Sequence, residues 1–326
     1  MRIAIVRLSA MGDIIQSMVV LQFIRKNFPN CSIDWVVDSQ YSSVLRNCNE
    51  IDNIIELDIK LIKKKKSFFL FYGVVRQLRK LEKYDKVFDL QGLIKSSIVT
   101  RLIPAKERIG FDKSSIREKF ASYFYSHKFS IPYEENVILR YTRIINKFLQ
   151  INIAKKDIDN KKSFFQNINH TNSSIKPSIV LVLGASFPSK IYSTEKYAEI
   201  ANSINARFIA IWGSDKEKKM AQELKSMTRN VIIANKLSFS ALTKLIASTD
   251  LVIGGDTGPT HLAWALNIPS ITIFGPTPVE RNYYKTEINL AISSQKMINP
   301  FNIDRIGSSI NIIEPKEIIK LAKRLL

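Results

Sequence analysis

Short apolar segments alternate with helical patterns along most of this chain, and this alternation limits the possible folds more than any other feature of the sequence. The apolar segments have the length and composition of buried strands. The predicted strands are 2–8, 32–37, 51–57, 86–90, 178–183, 207–212, 231–234, 251–254 and 270–274. Strands that alternate with helices are typical of βαβ units, so the sequence predicts an α/β fold with parallel sheets.

The alternation occurs twice and is interrupted once, by a stretch rich in Asn, Lys and Ser. We predict a first domain at 1–155, a linker at 156–177 and a second domain at 178–326. The predicted helices are 13–27, 68–83, 94–102, 131–150, 194–204, 215–227, 239–247, 259–266 and 315–326. The last of these either completes the second domain or packs back on the first. Doubly wound domains bind ligands beyond the carboxyl ends of their strands, so we expect a cleft that these ends face.

Composition narrows the class of protein. A chain of 326 residues with 45% hydrophobic and 24% charged residues is long enough for two globular domains. No apolar run approaches the roughly 18 residues that span a bilayer. The apolar start is interrupted by Arg7 and is too short for a signal peptide, so we expect a cytoplasmic protein. Cys31 and Cys48 lack the spacing of a zinc site, and we expect neither a disulfide nor a structural metal.

The formal net charge of +20 favours polyanionic partners, such as nucleic acid, an anionic lipid surface or a phosphorylated substrate. The sequence contains no RNA-recognition motif, no C₂H₂ spacing and no evident helix-turn-helix. We therefore expect no nucleic-acid partner, and the charge by itself does not decide between the other two.

The turn after the first predicted strand carries a candidate base. Gly12 is expected to let the backbone turn tightly, and Asp13 follows it where the strand gives way to a helix. A carboxylate in this position could accept a proton from an attacking hydroxyl. The turn by itself favours a simpler interpretation, in which Asp13 is a helix N-cap. It lacks the GxGxxG pattern, which argues against a nicotinamide-binding dehydrogenase.

A richer turn follows the predicted strand 251–254. Two glycines there permit close backbone approach, and the start of the next helix offers free N–H groups that suit a diphosphate. Asp256 could accept hydrogen bonds from sugar hydroxyls, and His261 either faces the ligand or packs inside. A capped helix after a glycine turn is the alternative. The clustering of Asp256, Thr257, Gly258 and His261 at one strand end favours a binding site.

Neighbouring strand ends carry further polar groups. Ser186 and Lys190 follow strand 178–183, whereas Trp212, Gly213 and Glu217 follow strand 207–212. A Gly275-Pro276-Thr277 turn follows strand 270–274. Each turn alone could be ordinary turn chemistry. Together they predict one nucleotide-sugar site.

Five segments occur in an order that resembles the bacterial heptosyltransferases of glycosyltransferase family 9. They are Ser-Ala-Met-Gly-Asp (9–13), Asp-Leu-Gln-Gly-Leu-Ile-Lys-Ser (89–96), Trp-Gly (212–213), Asp-Thr-Gly-Pro-Thr-His (256–261) and Gly-Pro-Thr (275–277). The resemblance extends over nearly the whole chain. It is strongest to members that transfer L-glycero-D-manno-heptose from ADP-heptose to a Kdo residue of lipid A–Kdo. Heptosyltransferase II, or another member with a different acceptor, is the alternative, and a non-catalytic polyanion-binding protein is a remote one.

The resemblance implies a GT-B fold of two Rossmann-like domains that face across a cleft. The first domain would bind the acceptor and the second would bind ADP-heptose. It also implies inversion at the anomeric carbon without a cofactor or an essential metal. The one DxD-like segment, Asp157-Ile158-Asp159, lies in the lysine-rich linker and is interpreted as solvated charge.

The resemblance assigns roles to the candidate residues. Asp13 matches the family's general base, which overrides the N-cap interpretation, and Asp256 matches the aspartate that contacts the heptose. Lys190 matches the lysine that offsets the diphosphate charge. Glu217 matches an acidic residue near the adenosine ribose. The other donor-binding positions are Ser186, Trp212, Gly213, Thr257, Gly258 and His261, and those for the acceptor are Gly12, Lys95 and Arg117.

Lys95 and Arg117 suit the carboxylates of Kdo, although solvated charges are the alternative interpretation. The run Lys63–Lys66, followed by Phe68–Tyr72, has two interpretations as well. It could dock on an anionic membrane surface or on lipid A phosphates, which would make the enzyme peripheral to the cytoplasmic face of the inner membrane. It could also be a charged loop followed by a buried helix face.

Overall fold

The computed structural model describes residues 1–165, 177–294 and 298–326. The chain forms two compact units, Met1–Gln166 and Asn167–Leu326. Their boundary falls inside the segment predicted as a linker, half of which (166–176) lies outside the described residues. The start of that segment is helical rather than extended, because α7 (Lys155–Asp159) occupies it.

The first unit is a six-stranded parallel sheet with helices between its strands. Its strands are β1 (Arg2–Val6), β2 (Ser32–Asp38), β3 (Asn53–Leu57), β4 (Tyr84–Asp89), β5 (Ala105–Phe111) and β6 (His127–Phe129). Its helices are α1 (Met11–Ser17), α2 (Val19–Asn27), α3 (Ile59–Lys65), α4 (Phe68–Arg79), α5 (Ile94–Leu102), α6 (Val137–Leu149) and α7. The strand order is β3-β2-β1-β4-β5-β6, which is the doubly wound order of a Rossmann-like fold.

The second unit repeats this design. Its strands are β7 (Ser178–Val182), β8 (Arg207–Ile211), β9 (Val231–Ile233), β10 (Leu251–Gly255), β11 (Ser270–Phe274) and β12 (Asn289–Ser293). Its helices are α8 (Thr194–Ser203), α9 (Asp215–Met227), α10 (Phe239–Ala247), α11 (Gly258–Ala265), α12 (Val279–Asn282) and α13 (Pro315–Leu325). The order β12-β11-β10-β7-β8-β9 is parallel and has the same topology as the first sheet.

The central strands are apolar because helices cover both faces of each sheet. Every residue of β7, β10 and β11 is buried. The last helix, α13, packs on α8 within the second unit and contributes Ile318 and Ala322 to that unit's core. Among the described residues, no helix has the length and apolarity needed to cross a membrane.

Three strands were not predicted. The second to fourth residues of β5 are Lys106, Glu107 and Arg108, whereas β6 is only three residues long and β12 begins with Asn289. β6 and β12 are edge strands, which need fewer apolar residues than central ones. These three segments are strands because they pair with neighbouring strands, so the periodicity of their sequences alone could not identify them.

Several predicted helix boundaries were wrong for local reasons. The helix predicted at 13–27 is divided at Met18, whose N–H contacts the carbonyls of both Ile14 and Ile15. The helix predicted from residue 131 begins at Val137, because the Asn136 side chain accepts a hydrogen bond from Ile138 N and caps it. The segment before it contains Pro132, which disfavours helix in the preceding residue.

The charged-loop interpretation of Lys63–Lys66 was wrong. Residues up to Lys65 belong to α3, and Lys66 ends that helix in the left-handed conformation (φ 47°). The buried part of the following helix is limited to its second half, where Val74 and Leu78 are buried, whereas Phe68, Phe69, Phe71 and Tyr72 are exposed.

A buried lysine supplies a stability prediction in the first unit. Lys161 is 6% exposed, and burial lowers the pKa of Lys161 to about 7. Burial penalises the charged ammonium, so its destabilising effect is greatest below about pH 7 and disappears as the pH rises towards the unfolded pKa of about 10.4. We expect Lys161→Met to raise the free energy of unfolding at pH 7 by a few kcal/mol, at about 1.4 kcal/mol per pKa unit.

Urea unfolding at several pH values measures this effect. The advantage of Lys161→Met should be greatest at or below pH 7 and should vanish near pH 10. Lys162→Met, at an exposed neighbouring position, is the control and should change stability by less than about 0.5 kcal/mol. A Lys161→Met protein that is less stable than wild type at pH 7 would contradict the prediction.

Candidate functional site

Each sheet has one point where the strand order reverses, and ligands of doubly wound folds bind in the crevice there. In the first unit this point lies between β1 and β4, and in the second between β7 and β10. The segments that follow these four strands contain most of the predicted site residues.

Asp13 lies in the first turn of α1, just after β1, and its side chain is 46% exposed. Both of its described contacts use one carboxylate oxygen. Arg7 Nη2 lies 3.0 Å from Asp13 Oδ2, and Ala10 N donates to the same atom at 3.2 Å. Within the described part of the chain Oδ1 has no such contact, so it is the oxygen available to an incoming group.

Arg7 was not predicted as a site residue, although its charge interrupts the apolar run that begins at Ile3. Its side chain is buried, and its Nη1 donates to Leu90 O at 2.7 Å. Its guanidinium also lies over the Tyr141 ring, 5.6 Å from the centroid. These contacts fix Arg7, and Arg7 in turn fixes the Asp13 carboxylate.

The expected role of Gly12 as the turn-forming glycine was wrong, because Gly12 is the second residue of α1 and has no left-handed backbone. Gly92 has that conformation instead (φ 69°), in the turn after β4. Asp89 holds this turn by accepting hydrogen bonds from Gln91 N and Gly92 N. Burial raises the pKa of Asp89.

The turn after β4 brings Lys95 towards the turn after β1. Lys95 Nζ donates to Ser9 Oγ at 2.8 Å, and Gln91 Nε2 donates to the same hydroxyl at 3.2 Å. The motif 89–96 therefore supports the segment that carries Asp13. Arg117 is exposed, between β5 and the 3₁₀ segment Lys119–Phe124, and no described contact joins it to Lys95 or Asp13.

Asp256 is the centre of a buried polar cluster in the second unit. Lys190 Nζ lies 2.6 Å from Asp256 Oδ2, and Thr277 Oγ1 donates to the same oxygen at 3.0 Å. His261 Nε2 lies 3.0 Å from Asp256 Oδ1. The structure thus brings together three predicted residues, and it adds Thr277, which the sequence indicated only as part of a turn.

Two opposing effects determine the charge of this cluster. Burial raises the pKa of Asp256, but the Lys190 ammonium and the His261 hydrogen bond lower it by more, so this pKa lies well below its usual range. Asp256 is therefore ionised in the folded chain, and Lys190 is its counter-ion.

Two glycines make room for the Lys190 segment. A Cβ atom on Gly255 would lie 2.8 Å from Lys190 O, and one on Gly275 would lie 2.7 Å from Ser189 O. The short 3₁₀ segment Pro188–Lys190 therefore passes directly over the ends of β10 and β11. This close approach positions Lys190 beside Asp256.

The start of α11 faces the same strand ends. Gly258 and Pro259 form its first turn, where backbone N–H groups have no partner within the helix. Thr257 Oγ1 and His261 Nδ1 are buried and lack a hydrogen-bond partner among the described residues. Buried polar atoms are usually paired, so two such atoms in one turn are typical of a site that is completed by a ligand.

The residues after β8 form a separate cap. Glu217 Oε2 accepts from Gly213 N at 2.5 Å and from Ser214 N at 3.3 Å, and Ser214 Oγ accepts from Glu217 N. This is the reciprocal capping box of α9. Trp212 Nε1 donates to Ala234 O at 2.8 Å. A Cβ atom on Gly184 would meet the Glu217 carboxyl group, so this cap lies beside the end of β7.

The remaining candidates have simple surroundings. Ser186 is exposed in the turn after β7. Asp157 Oδ2 accepts from Ala154 N at 2.8 Å, which makes it a helix cap. In the described ranges no three His, Cys, Asp or Glu side chains are grouped as a metal site would require.

Comparison with known proteins agrees with this description. The model of glycosyltransferase family 9 (heptosyltransferase) matches residues 72–299. Lipopolysaccharide heptosyltransferase 1 of Campylobacter coli is 40% identical over 100% of this chain and 99% of its own. The protein of that name from Escherichia coli K12 is 27% identical over 85% of this chain and 88% of its own.

A solved structure of a heptosyltransferase has a similar fold. The structure of an E. coli heptosyltransferase with ADP has a TM-score of 0.81 and 22% identity, and the match covers 100% of both chains. This likeness confirms the predicted α/β fold of two Rossmann-like units, the GT-B type.

Proposed function

This chain belongs to glycosyltransferase family 9, and on that basis we propose that it transfers L-glycero-D-manno-heptose from ADP-heptose to a Kdo residue of lipid A–Kdo. This reaction is a step of lipopolysaccharide inner-core biosynthesis. The full-length similarity to a protein named lipopolysaccharide heptosyltransferase 1 supports this acceptor over later ones. The geometric observation that carries the proposal is the ionised Asp256 with its three partners at the strand ends of the second unit.

We assign the base to Asp13. An inverting transfer needs one group that accepts the proton of the attacking hydroxyl. Arg7 and Ala10 N hold Asp13 Oδ2, which leaves Oδ1 to accept that proton. Lys95 donates a hydrogen bond to Ser9, in the turn that leads to Asp13, and it supplies a cation for the Kdo carboxylate. Arg117 supplies a second cation.

We assign the donor to the second unit. Asp256 accepts hydrogen bonds from heptose hydroxyls, and the free N–H groups at the start of α11 bind the diphosphate. Lys190 offsets the charge that develops on the departing ADP. We assign the adenosine end of the donor to Glu217, Trp212, Gly213 and Ser186. These groups can stabilise the leaving group without a metal cation, so we propose that transfer needs no metal.

A transfer assay tests the acceptor and the metal requirement together. Purified protein, ADP-heptose and EDTA are incubated with lipid A–Kdo or with lipid A–Kdo that already carries one heptose. We expect ADP release with the first acceptor only. Transfer to the second acceptor alone would favour heptosyltransferase II. Transfer that EDTA abolishes and Mg²⁺ restores would refute the metal-independent mechanism.

We propose that the enzyme works at the cytoplasmic face of the inner membrane, where a lipid-linked acceptor would be presented. The excess of cations, +20 in formal charge, is suited to an anionic surface of this kind. Fractionation of cells that express the tagged chain tests this. A chain recovered with membranes and released by high salt is expected, whereas one that remains in the soluble fraction at low salt would contradict it.

Gly255→Ala is expected to weaken ADP binding about tenfold, because the new methyl group displaces the Lys190 backbone and overpacking of this kind costs about 1–3 kcal/mol. Calorimetric titration with ADP measures the affinity. Gly73→Ala is the control, since a Cβ atom there meets nothing within 4 Å. Unchanged ADP affinity in Gly255→Ala would show that the position of Lys190 does not matter for the donor.

A further inference from the structure

The first unit exposes aromatic side chains in two segments of the chain. At the start of α4, Phe68 is 79% exposed, Phe69 83%, Phe71 44% and Tyr72 57%. On the 3₁₀ segment Lys119–Phe124, Phe120 is 72% exposed and Tyr123 71%. Rings of this size contribute most to stability when they are buried, so a group of exposed ones indicates an interaction surface.

The first segment extends past the carboxyl edge of the sheet. Gln77 Nε2 donates to Glu56 O at 3.1 Å, so the third turn of α4 is level with the end of β3. Phe68 comes nine residues earlier in the helix, which corresponds to about 13 Å. The helix runs back along the sheet to reach β4, so its first turn lies beyond the carboxyl ends of the strands. Asp13 lies at this same edge.

The second segment is held at the same edge. Glu118 Oε2 accepts from Ile94 N at 2.7 Å, which joins the segment to the first residue of α5, just after β4. Ile94 is itself exposed, and the rings of Phe120 and Tyr123 lie 5.9 Å apart. Helix α5 packs against both α4 and this segment, so the two elements that carry the aromatic groups share a neighbour.

The two segments that carry the rings are rich in cations and poor in acids. Residues 59–79 contain no Asp or Glu, and residues 113–123 contain Glu118 as their one acid. The cations of these segments are Lys60, Lys63, Lys64, Lys65, Lys66, Arg76, Arg79, Lys113, Arg117 and Lys119. Aromatic rings beside an excess of Lys and Arg are suited to the interface of an anionic bilayer, where the rings enter the headgroup region and the cations meet phosphates.

We propose that Phe68, Phe69, Phe71, Tyr72, Phe120 and Tyr123, with the cations around them, form a docking surface for an anionic phospholipid bilayer. Docking through this surface turns the carboxyl edge of the first sheet, and hence Asp13, towards the membrane. The proposal extends the proposed function, because a lipid-linked acceptor is anchored in that membrane. Its test contains no sugar donor, so it can fail while heptose transfer succeeds.

Vesicle sedimentation of the full chain tests the surface. We expect binding to vesicles of phosphatidylglycerol and phosphatidylcholine, weaker binding at high salt, and little binding to phosphatidylcholine alone. Phe68→Ser with Phe69→Ser should lower the partition coefficient about tenfold or more. Lys64→Gln with Lys65→Gln should lower it about tenfold on the anionic vesicles.

Matched controls come from the second unit. Ile306 is 89% exposed and Ile312 68%, so Ile306→Ser with Ile312→Ser removes comparable apolar surface elsewhere. Lys216→Gln with Lys219→Gln removes two exposed charges of α9. Both controls should bind vesicles like wild type. Circular dichroism and thermal unfolding establish that each variant is folded.

Three results would overturn the proposal. The first is a wild-type chain that does not sediment with anionic vesicles. The second is a Phe68→Ser, Phe69→Ser variant that binds as tightly as the controls. The third is a wild-type dimer, detected by light scattering, that this variant converts to a monomer, because the rings would then be covered by a second copy of the chain.

Discussion

Asp13→Asn is expected to lower kcat for heptose transfer by about a thousandfold, within the range for removal of a general base. The amide has the shape of the carboxylate but cannot accept the proton of the attacking hydroxyl at Oδ1. Asp13 belongs to the first unit and the proposed donor residues to the second, so ADP affinity should not change. The Asp13 side chain is half-exposed, so loss of its ion pair with Arg7 should cost less than about 1 kcal/mol of stability. Steady-state kinetics and calorimetry measure the two effects.

Asp85→Asn is the matched control for this experiment. Asp85 is also a partly exposed carboxylate with a cationic partner, Lys106 at 2.7 Å, but it lies at the start of β4, at the opposite edge of the same sheet. It should retain kcat within about twofold, since an exposed pair contributes little. If Asp13→Asn retained a third or more of wild-type kcat, Asp13 would not be the base, and the N-cap interpretation would be favoured instead.

Asp256→Asn is expected to have the largest effect on the second unit. It removes a buried charge that pairs with the largely buried Lys190, whose side chain is 11% exposed, and loss of one partner of a buried pair costs about 3–5 kcal/mol. It also removes the proposed acceptor for heptose hydroxyls. We expect the affinity for ADP-heptose to fall about 10- to 100-fold, whereas that for ADP, which lacks the heptose, should fall less. Thermal unfolding and competition binding separate the two effects.

Three variants test the reasoning behind that expectation. Lys190→Met leaves the Asp256 carboxylate buried without its counter-ion, so it should destabilise the chain as well. The double variant Asp256→Asn, Lys190→Met should lose less stability than the two single variants lose together, because neither charge then remains without its partner. Thr277→Val removes one hydrogen bond to the carboxylate and should cost about 1.5–3 kcal/mol. If the loss of stability in the double variant equalled the sum of the two single losses, Asp256 and Lys190 would not interact energetically.

The ion pair between Asp256 and Lys190 also predicts that the free energy of unfolding depends on pH. The pKa of Asp256 in the folded chain lies below its unfolded value of about 3.9. The ionised carboxylate therefore stabilises the fold fully above about pH 4, and this contribution is lost as the pH falls. The difference in unfolding free energy between wild type and Asp256→Asn should narrow in acid. A difference that remains constant down to pH 3 would contradict this account.

The regular elements could be predicted where a single pattern determines them. Helices α5, α9 and α10 and strand β11 have the predicted bounds, because apolar spacing and a cap or turn residue agree in each. Helix α3 was missed because the four lysines of Lys63–Lys66 gave no apolar face to identify. The division at Met18 depends on backbone hydrogen bonds that no residue type signals.

The candidate site, like the fold, could be predicted from the sequence only in part. Turns after strands could be identified, because a parallel sheet brings the carboxyl ends of its strands to one edge. The partners could not be identified, since Arg7, Thr277 and the glycine contacts with the Lys190 segment depend on distances between separate segments. Glu217 shows the limit most plainly. Its described hydrogen bonds are those of a helix cap, and its proposed role towards the adenosine ribose rests on family resemblance.

The mass of the reaction product tests the central claim most directly. Purified protein is incubated with ADP-heptose and lipid A–Kdo, the lipid is analysed by mass spectrometry, and released ADP is quantified in parallel. We predict that the lipid gains the mass of a single heptose, that an equal amount of ADP is released, and that Asp13→Asn does neither. A lipid of unchanged mass, in a preparation that binds ADP-heptose, would contradict the proposed reaction.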